Sequence, residues 1–137
     1  MTPISKVVTI KSARILLAED DRILRKAGET ALRKKGYEVI AAVDGEEALA
    51  KARQDPPDLV LLDVMMPKIH GFDVLRGLKG DPRTKEVPVI MLTNLAQPAD
   101  IKRATDAGAC GYLVKSNLDL EDLATKIADA LDARRRQ

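Results

Sequence analysis

Five times between Ala13 and Leu131 a short apolar run gives way to a segment whose apolar residues recur at helical spacing. ARILLA (13–18), YEVIAA (37–42), DLVLLDV (58–64), VPVIMLT (87–93) and CGYLVK (110–115) read as strands. The first intervening segment sets Leu24, Ala27 and Ala31 on one side and closes at Gly36, as a helix C-terminus does. Asp44 and Glu47 form a capping-box pattern ahead of Ala48, Leu49 and Ala52. FDVLRGLKG follows the third strand, and Pro98 suits the first turn of a helix using Ile101 and Ala104 and ending near Gly108. Asp119 caps the last helix, with Leu120, Leu123, Ala124, Ile127 and Leu131 facing a core. The third strand is too continuously apolar for a sheet with one wet face. Alternation with such short connections therefore predicts an α/β fold, a doubly wound five-stranded parallel sheet covered on both faces.

The chain's 137 residues suffice for one domain with its own core. Expected boundaries are a flexible leader at 1–12, the folded unit at 13–133 and a basic tail at 134–137. Basic residues number 23 against 21 acidic ones, but Lys6, Lys11, Arg134, Arg135 and Arg136 lie in the end segments. The body is thus mildly acidic and its aromatics are only Phe72, Tyr37 and Tyr112, which argues against nucleic-acid binding. One cysteine, Cys110, excludes an internal disulfide or a multi-cysteine zinc site, and one histidine, His70, excludes paired-histidine metal motifs. The N-terminus lacks a signal-peptide apolar region and no run is long enough to insert in a membrane, so a cytoplasmic location is expected.

In open parallel sheets ligands bind beyond the carboxyl ends of the strands. Glu19 and Asp20 end the first strand, Asp63 the third, Thr93 the fourth and Lys115 the fifth. Far apart in sequence, these residues converge on one sheet edge. Three carboxylates there repel one another unless a cation neutralises them, and Mg²⁺ is a hard ion suited to oxygen ligands. With a lysine and a hydroxyl added, the set suits a phosphoryl group, and Asp63 would be the nucleophile forming an aspartyl phosphate. His70, in the loop after Asp63, reads as a solvent-exposed loop residue and Cys110 as packing in a buried strand. The arginine end reads as a frayed helix terminus complementing the helix dipole.

RILLAEDD, LVLLDVMMPKIHGFDVLRGLK, VPVIMLTN and GACGYLVKS together resemble the receiver domain of two-component response regulators, and more narrowly the single-domain, chemotaxis-regulator-like members. The resemblance covers residues 13 to 132. It implies a flavodoxin-like (βα)5 fold with strand order 2-1-3-4-5. It also implies that Asp63 accepts phosphate from a sensor histidine kinase or phosphotransfer protein, in a switch that catalyses only its own phosphorylation and dephosphorylation. Asp20 and Asp63 would bind Mg²⁺ with the Met65 backbone carbonyl, Glu19 acting mainly through water; Asp21 falls outside the metal set. Thr93 and Lys115 would hold the phosphoryl oxygens and Tyr112 would be the switch aromatic. Output would pass through the face of helix 4, strand 5 and helix 5 to a downstream protein.

Met65 and Leu95 stand at the positions that in this family tune loss of the phosphate, and neither side chain can hydrogen-bond an attacking water. Asn94 replaces the usual small residue after the threonine. Ser116 replaces the usual proline after the lysine, for which a trans bond is expected. A phosphorylation-independent binding scaffold is the rival reading. An aspartate-nucleophile phosphatase would want an acid where Met65 stands.

Overall fold

A computed structural model describes residues 12–94, 97–117 and 119–135. The leader up to Lys11, Leu95 and the last two residues lie outside the described residues. Strands β1 (Arg14–Ala18), β2 (Glu38–Ala42), β3 (Leu59–Asp63), β4 (Val89–Thr93) and β5 (Gly111–Val114) form one parallel sheet in the order β2-β1-β3-β4-β5. Helices α1 (Arg22–Lys34), α2 (Gly45–Gln54), α3 (Gly71–Lys79), α4 (Pro98–Asp106) and α5 (Leu120–Arg135) complete the alternation that the sequence pattern predicts.

The core is split by the sheet. On one face Ala48 and Ala52 of α2, Phe72, Val74, Leu75 and Leu78 of α3 and Ala104 of α4 pack on Leu16, Val60, Leu62 and Met91. On the other, Leu32 of α1 and Leu123, Ile127 and Leu131 of α5 cover Ile15, Leu17, Leu59, Leu61, Ile90 and Leu92. Every residue of β3 and β4 is buried, as strands covered on both sides must be.

Several local readings shift. In α1 the buried positions are Glu29 and Leu32, while Leu24 and Ala27 are exposed. The inward stripe runs one step round from the apolar one, because Glu29 is neutralised in place by Arg33 at 3.2 Å and so tolerates burial. Likewise Ile101 and Leu120 point outward while Ala104 and Leu123 are buried. The Asp44 carboxylate accepts the Glu47 N–H at 2.8 Å as a capping box requires, but Glu47 reaches back to the Val43 N–H rather than to that of Asp44. Gly36 adopts φ 94°, the left-handed turn that ends α1.

β5 is a half-buried edge strand rather than a buried one, and Cys110 before it is exposed. His70 is no free loop residue: its Nδ1 accepts the Phe72 N–H at 3.3 Å as the N-cap of α3, and its ring stacks on Phe72. α5 runs through Arg135, and Arg134 donates to the carbonyls of Pro57 and Asp58, fixing the helix end against the start of β3. Among the described residues no helix is long and apolar enough to cross a membrane.

Candidate functional site

At the carboxyl edge of the sheet, β1 and β3 deliver Glu19, Asp20 and Asp63 to one place, with one carboxylate oxygen of each within 4.8 Å of the others. Glu19 and Asp63 are buried and Asp20 is exposed, so the cluster opens to solvent on one side. Parallel register explains the convergence: Ala18 pairs with Leu62 and Asp63 with Leu92, so the residues ending these strands stand side by side.

The loops beyond the strands are held by backbone and side chain together. Glu19 N–H donates to the Ala42 carbonyl at 3.0 Å, and the guanidinium of Arg25, on α1, donates to the carbonyls of Glu19 (3.0 Å) and Asp20 (3.3 Å). Asp21, which the sequence reading left without a role, caps α1 by accepting from the Ile23 and Leu24 N–H groups. Beyond β3, Val64 N–H donates to the Leu92 carbonyl and Gly71 N–H to the Val64 carbonyl. A side chain at Gly71 would put its Cβ 2.4 Å from the Asp63 carbonyl oxygen, so only glycine lets α3 start this close to the strand end.

Lys115 is the first residue of a single 3₁₀ turn (Lys115–Asn117) rather than the last of the strand. Its Nζ donates to Glu19 Oε1 at 2.5 Å and to Asp63 Oδ2 at 2.9 Å. The other Asp63 oxygen, Oδ1, accepts the Met65 N–H at 3.2 Å. The Lys115–Ser116 peptide is trans, as expected with serine in that position. Thr93 is fully buried at the end of β4, in register with Val114 of β5, and its side chain hydrogen-bonds Tyr112. Asn94 and Ser116 are exposed.

Burial pushes the Glu19 carboxyl up to about 7, with the Asp63 charge adding to the rise and the Lys115 hydrogen bond opposing it. Burial also works against the Lys115 charge, but its hydrogen bonds to Glu19 and Asp63 outweigh that and raise its pKa above the ordinary lysine value. Burial and the nearby Asp100 raise the Tyr112 phenol, against the Thr93 hydrogen bond, so it carries its proton at neutral pH. The site is a pocket in which one ammonium bridges two buried carboxylates and a third carboxylate faces water. All three acidic donors are hard oxygen ligands, which fits a divalent ion such as Mg²⁺.

A doubly wound sheet with acidic groups at its carboxyl edge and a lysine bridging them defines a class of α/β proteins built to manage a charged group at that edge. Residues 15–128 match the response regulator receiver domain family, and the chain belongs to that family. A gliding motility regulatory protein of Myxococcus xanthus is 42% identical over 125 residues, which is 91% of this chain but 16% of that protein. The chain thus spans a small part of that curated relative. The crystallised chemotaxis protein CheY4 of Vibrio cholerae superposes with a TM-score of 0.81 at 33% identity, covering 87% of this chain and 98% of that one. The receiver domain of sensor histidine kinase PA1611 from Pseudomonas aeruginosa, solved with a magnesium ion coordinated in its active-site cleft, gives 0.82 at 28% identity, covering 88% and 98%.

The chain is accordingly a receiver domain of two-component signalling, a family whose members interact with histidine kinases or phosphotransfer proteins. The expected residues Glu19, Asp20, Asp63, Thr93 and Lys115 share the edge, with Tyr112 joined to Thr93. Arg25 and Gly71 were missed. A signal for Gly71 existed in its place just ahead of an apolar helix; Arg25 looked like any exposed helix cation.

Proposed function

We propose that this chain is a phosphorylatable switch in which Asp63 accepts a phosphoryl group from the phosphohistidine of a sensor histidine kinase or phosphotransfer protein. The observation that carries this reading is the environment of Asp63: a buried carboxylate, 3% exposed, held by an ammonium and a backbone N–H, beside two further carboxylates. A carboxylate oxygen of Asp63 forms the new P–O bond as the P–N bond of the donor breaks, and the imidazole leaves. Lys115, already aimed at the Asp63 carboxylate, takes a phosphoryl oxygen. Thr93, buried on the neighbouring strand end, offers its hydroxyl to another once it exchanges its Tyr112 partner.

Glu19, Asp20 and Asp63, with the Met65 carbonyl, would hold Mg²⁺, which neutralises charge developing on the phosphoryl oxygens. Freed from Thr93, Tyr112 changes the surface of α4, β5 and α5, and this face presents the state to a downstream protein. The switch acts on no metabolite and turns over only its own acyl phosphate, in the cytoplasm.

Incubation with radiolabelled acetyl phosphate tests the proposal. The expected result is Mg²⁺-dependent labelling of the parent and none of Asp63→Asn. Labelling of the variant at the parent's level would overturn the site, and a parent that takes no label yet binds its partners would favour the scaffold reading.

A further inference from the structure

Among the described residues β2 is an edge of the sheet, and such an edge presents unpaired backbone groups to any strand that approaches. The parallel ladder to β1 uses the even residues of β2: Glu38 N–H donates to the Ala13 carbonyl, and the Ala42 carbonyl accepts from Glu19. The backbone groups of Val39, Ala41 and Val43 therefore point outward.

Side chains from both faces of the sheet reach round to these outward groups. Arg33 of α1 donates to the Val39 carbonyl at 3.4 Å, and Lys51 of α2 donates to the Ala41 carbonyl at 2.7 Å. Glu47 of α2 accepts the Val43 N–H at 3.0 Å. Each cation is steadied by a carboxylate one helical turn earlier, Glu29 beside Arg33 at 3.2 Å and Glu47 beside Lys51 at 3.5 Å. The same Glu-to-cation pair thus occurs on two helices that lie on opposite faces of the sheet. It also accounts for Glu29, a buried carboxylate of α1 that the phosphoryl site does not use.

We propose that Arg33 and Lys51 close the β2 edge against a second copy of this chain, and that removing their charged ends opens it to antiparallel β2–β2 pairing. The surface under the caps suits that partner. In a two-fold arrangement Val39 of one copy lies opposite Ala41 of the other, each pair exchanging both of its outward backbone bonds. The hydrogen-bonded pairs across the new seam, Val39 with Ala41, are small or branched and uncharged, with Ile40 facing its own copy between them and Glu38 opposite Ala42 at either end. An approaching strand has to displace two cations from the carbonyls it needs and separate them from the carboxylates, Glu29 and Glu47, that hold them there.

The double variant R33M/K51M, which keeps the aliphatic stems, tests this against R76M/K102M, which removes the same charge from exposed pairs on α3 and α4. Sedimentation equilibrium should show R33M/K51M shifting to roughly twice the parent mass as concentration rises. Hydrogen exchange at the Val39 and Ala41 amides should slow by about tenfold or more over the same range. The control should match the parent in both. If R33M/K51M does not fold, K51M alone, which removes the 2.7 Å bond, carries the same two measurements. Parent-like mass and exchange in the folded edge variant, or equal association of the control, would overturn the proposal.

Discussion

Replacing Lys115 with methionine keeps the volume of the side chain and removes the charge that bridges Glu19 and Asp63 at 2.5 and 2.9 Å. Both carboxylate side chains are only 5% exposed, and stranding one partner of a buried ion pair costs about 3–5 kcal/mol. Glu19 limits that loss by taking up a proton. Its carboxyl already stands near 7 against an ordinary 4.5, a difference of ~3 kcal/mol between its two protonation states. Because the folded form holds this proton more tightly than the unfolded chain, the stability it contributes is complete below pH 4.5 and is lost as pH rises through about 7. Without Lys115 the hydrogen bond that lowers this value is gone and the window widens upward.

The variant should therefore be less stable than the parent by ~3 kcal/mol at pH 8 and by ~1 kcal/mol at pH 5, where Glu19 is neutral. At pH 8 that is a fall in Tm of about 10 °C for a domain of this size. Mg²⁺ should reverse much of it, since the vacated carboxylates attract a divalent ion with no ammonium competing, and a ligand at 100 times its Kd adds about 2.7 kcal/mol. Urea unfolding followed by far-UV circular dichroism, at both pH values with and without Mg²⁺, reads all of this. A loss no greater at pH 8 than at pH 5, or a Mg²⁺ gain equal in parent and variant, would refute the assignment of Lys115 as the cation of a metal-ready pocket.

Arg25→Met should weaken Mg²⁺ binding several-fold, measured by chemical-shift titration, at a stability cost of ~1 kcal/mol, because it frees the carbonyls of Glu19 and Asp20 without touching a carboxylate. Gly71→Ala should cost ~2–3 kcal/mol in urea unfolding and reduce acetyl-phosphate labelling, since its Cβ meets backbone at Asp63 and Val64 that cannot yield. The phosphorylated parent should keep its radiolabel longer than Met65→Asn, in which an amide at this exposed position can hold a water for attack on the phosphoryl group; faster loss from the parent would contradict that.

The fold was legible because its signal is redundant: five apolar runs, each followed by a helical stripe, leave a parallel sheet as the arrangement that buries them all. The gathering of Glu19, Asp20, Asp63 and Thr93 followed from the same logic, since strand ends in such a sheet share an edge. Side-chain reach did not follow. That Lys115 bridges two carboxylates from a 3₁₀ turn, that Glu47 turns to Val43, and that Arg134 ties α5 to the start of β3 depend on distances that no spacing encodes. The α1 stripe was misread for a related reason. A glutamate is counted as outward by its polarity, and the cations Arg33 and Lys26 beside it let Glu29 be a buried residue.

The junction between β3 and α3 decides how strain leaves the site. With Gly71 against the Asp63 and Val64 backbone, and its N–H bonded to the Val64 carbonyl, β3 and α3 are locked together as one rigid stator. A group added to Asp63 finds no slack on that side. The opposite flank is looser, for β5 is a half-buried edge strand and its Tyr112 is joined to Thr93 by a side-chain hydrogen bond. If Asp63 takes up a phosphoryl group as proposed, the direction of the response is set less by the groups that react than by the one helix start that cannot give way.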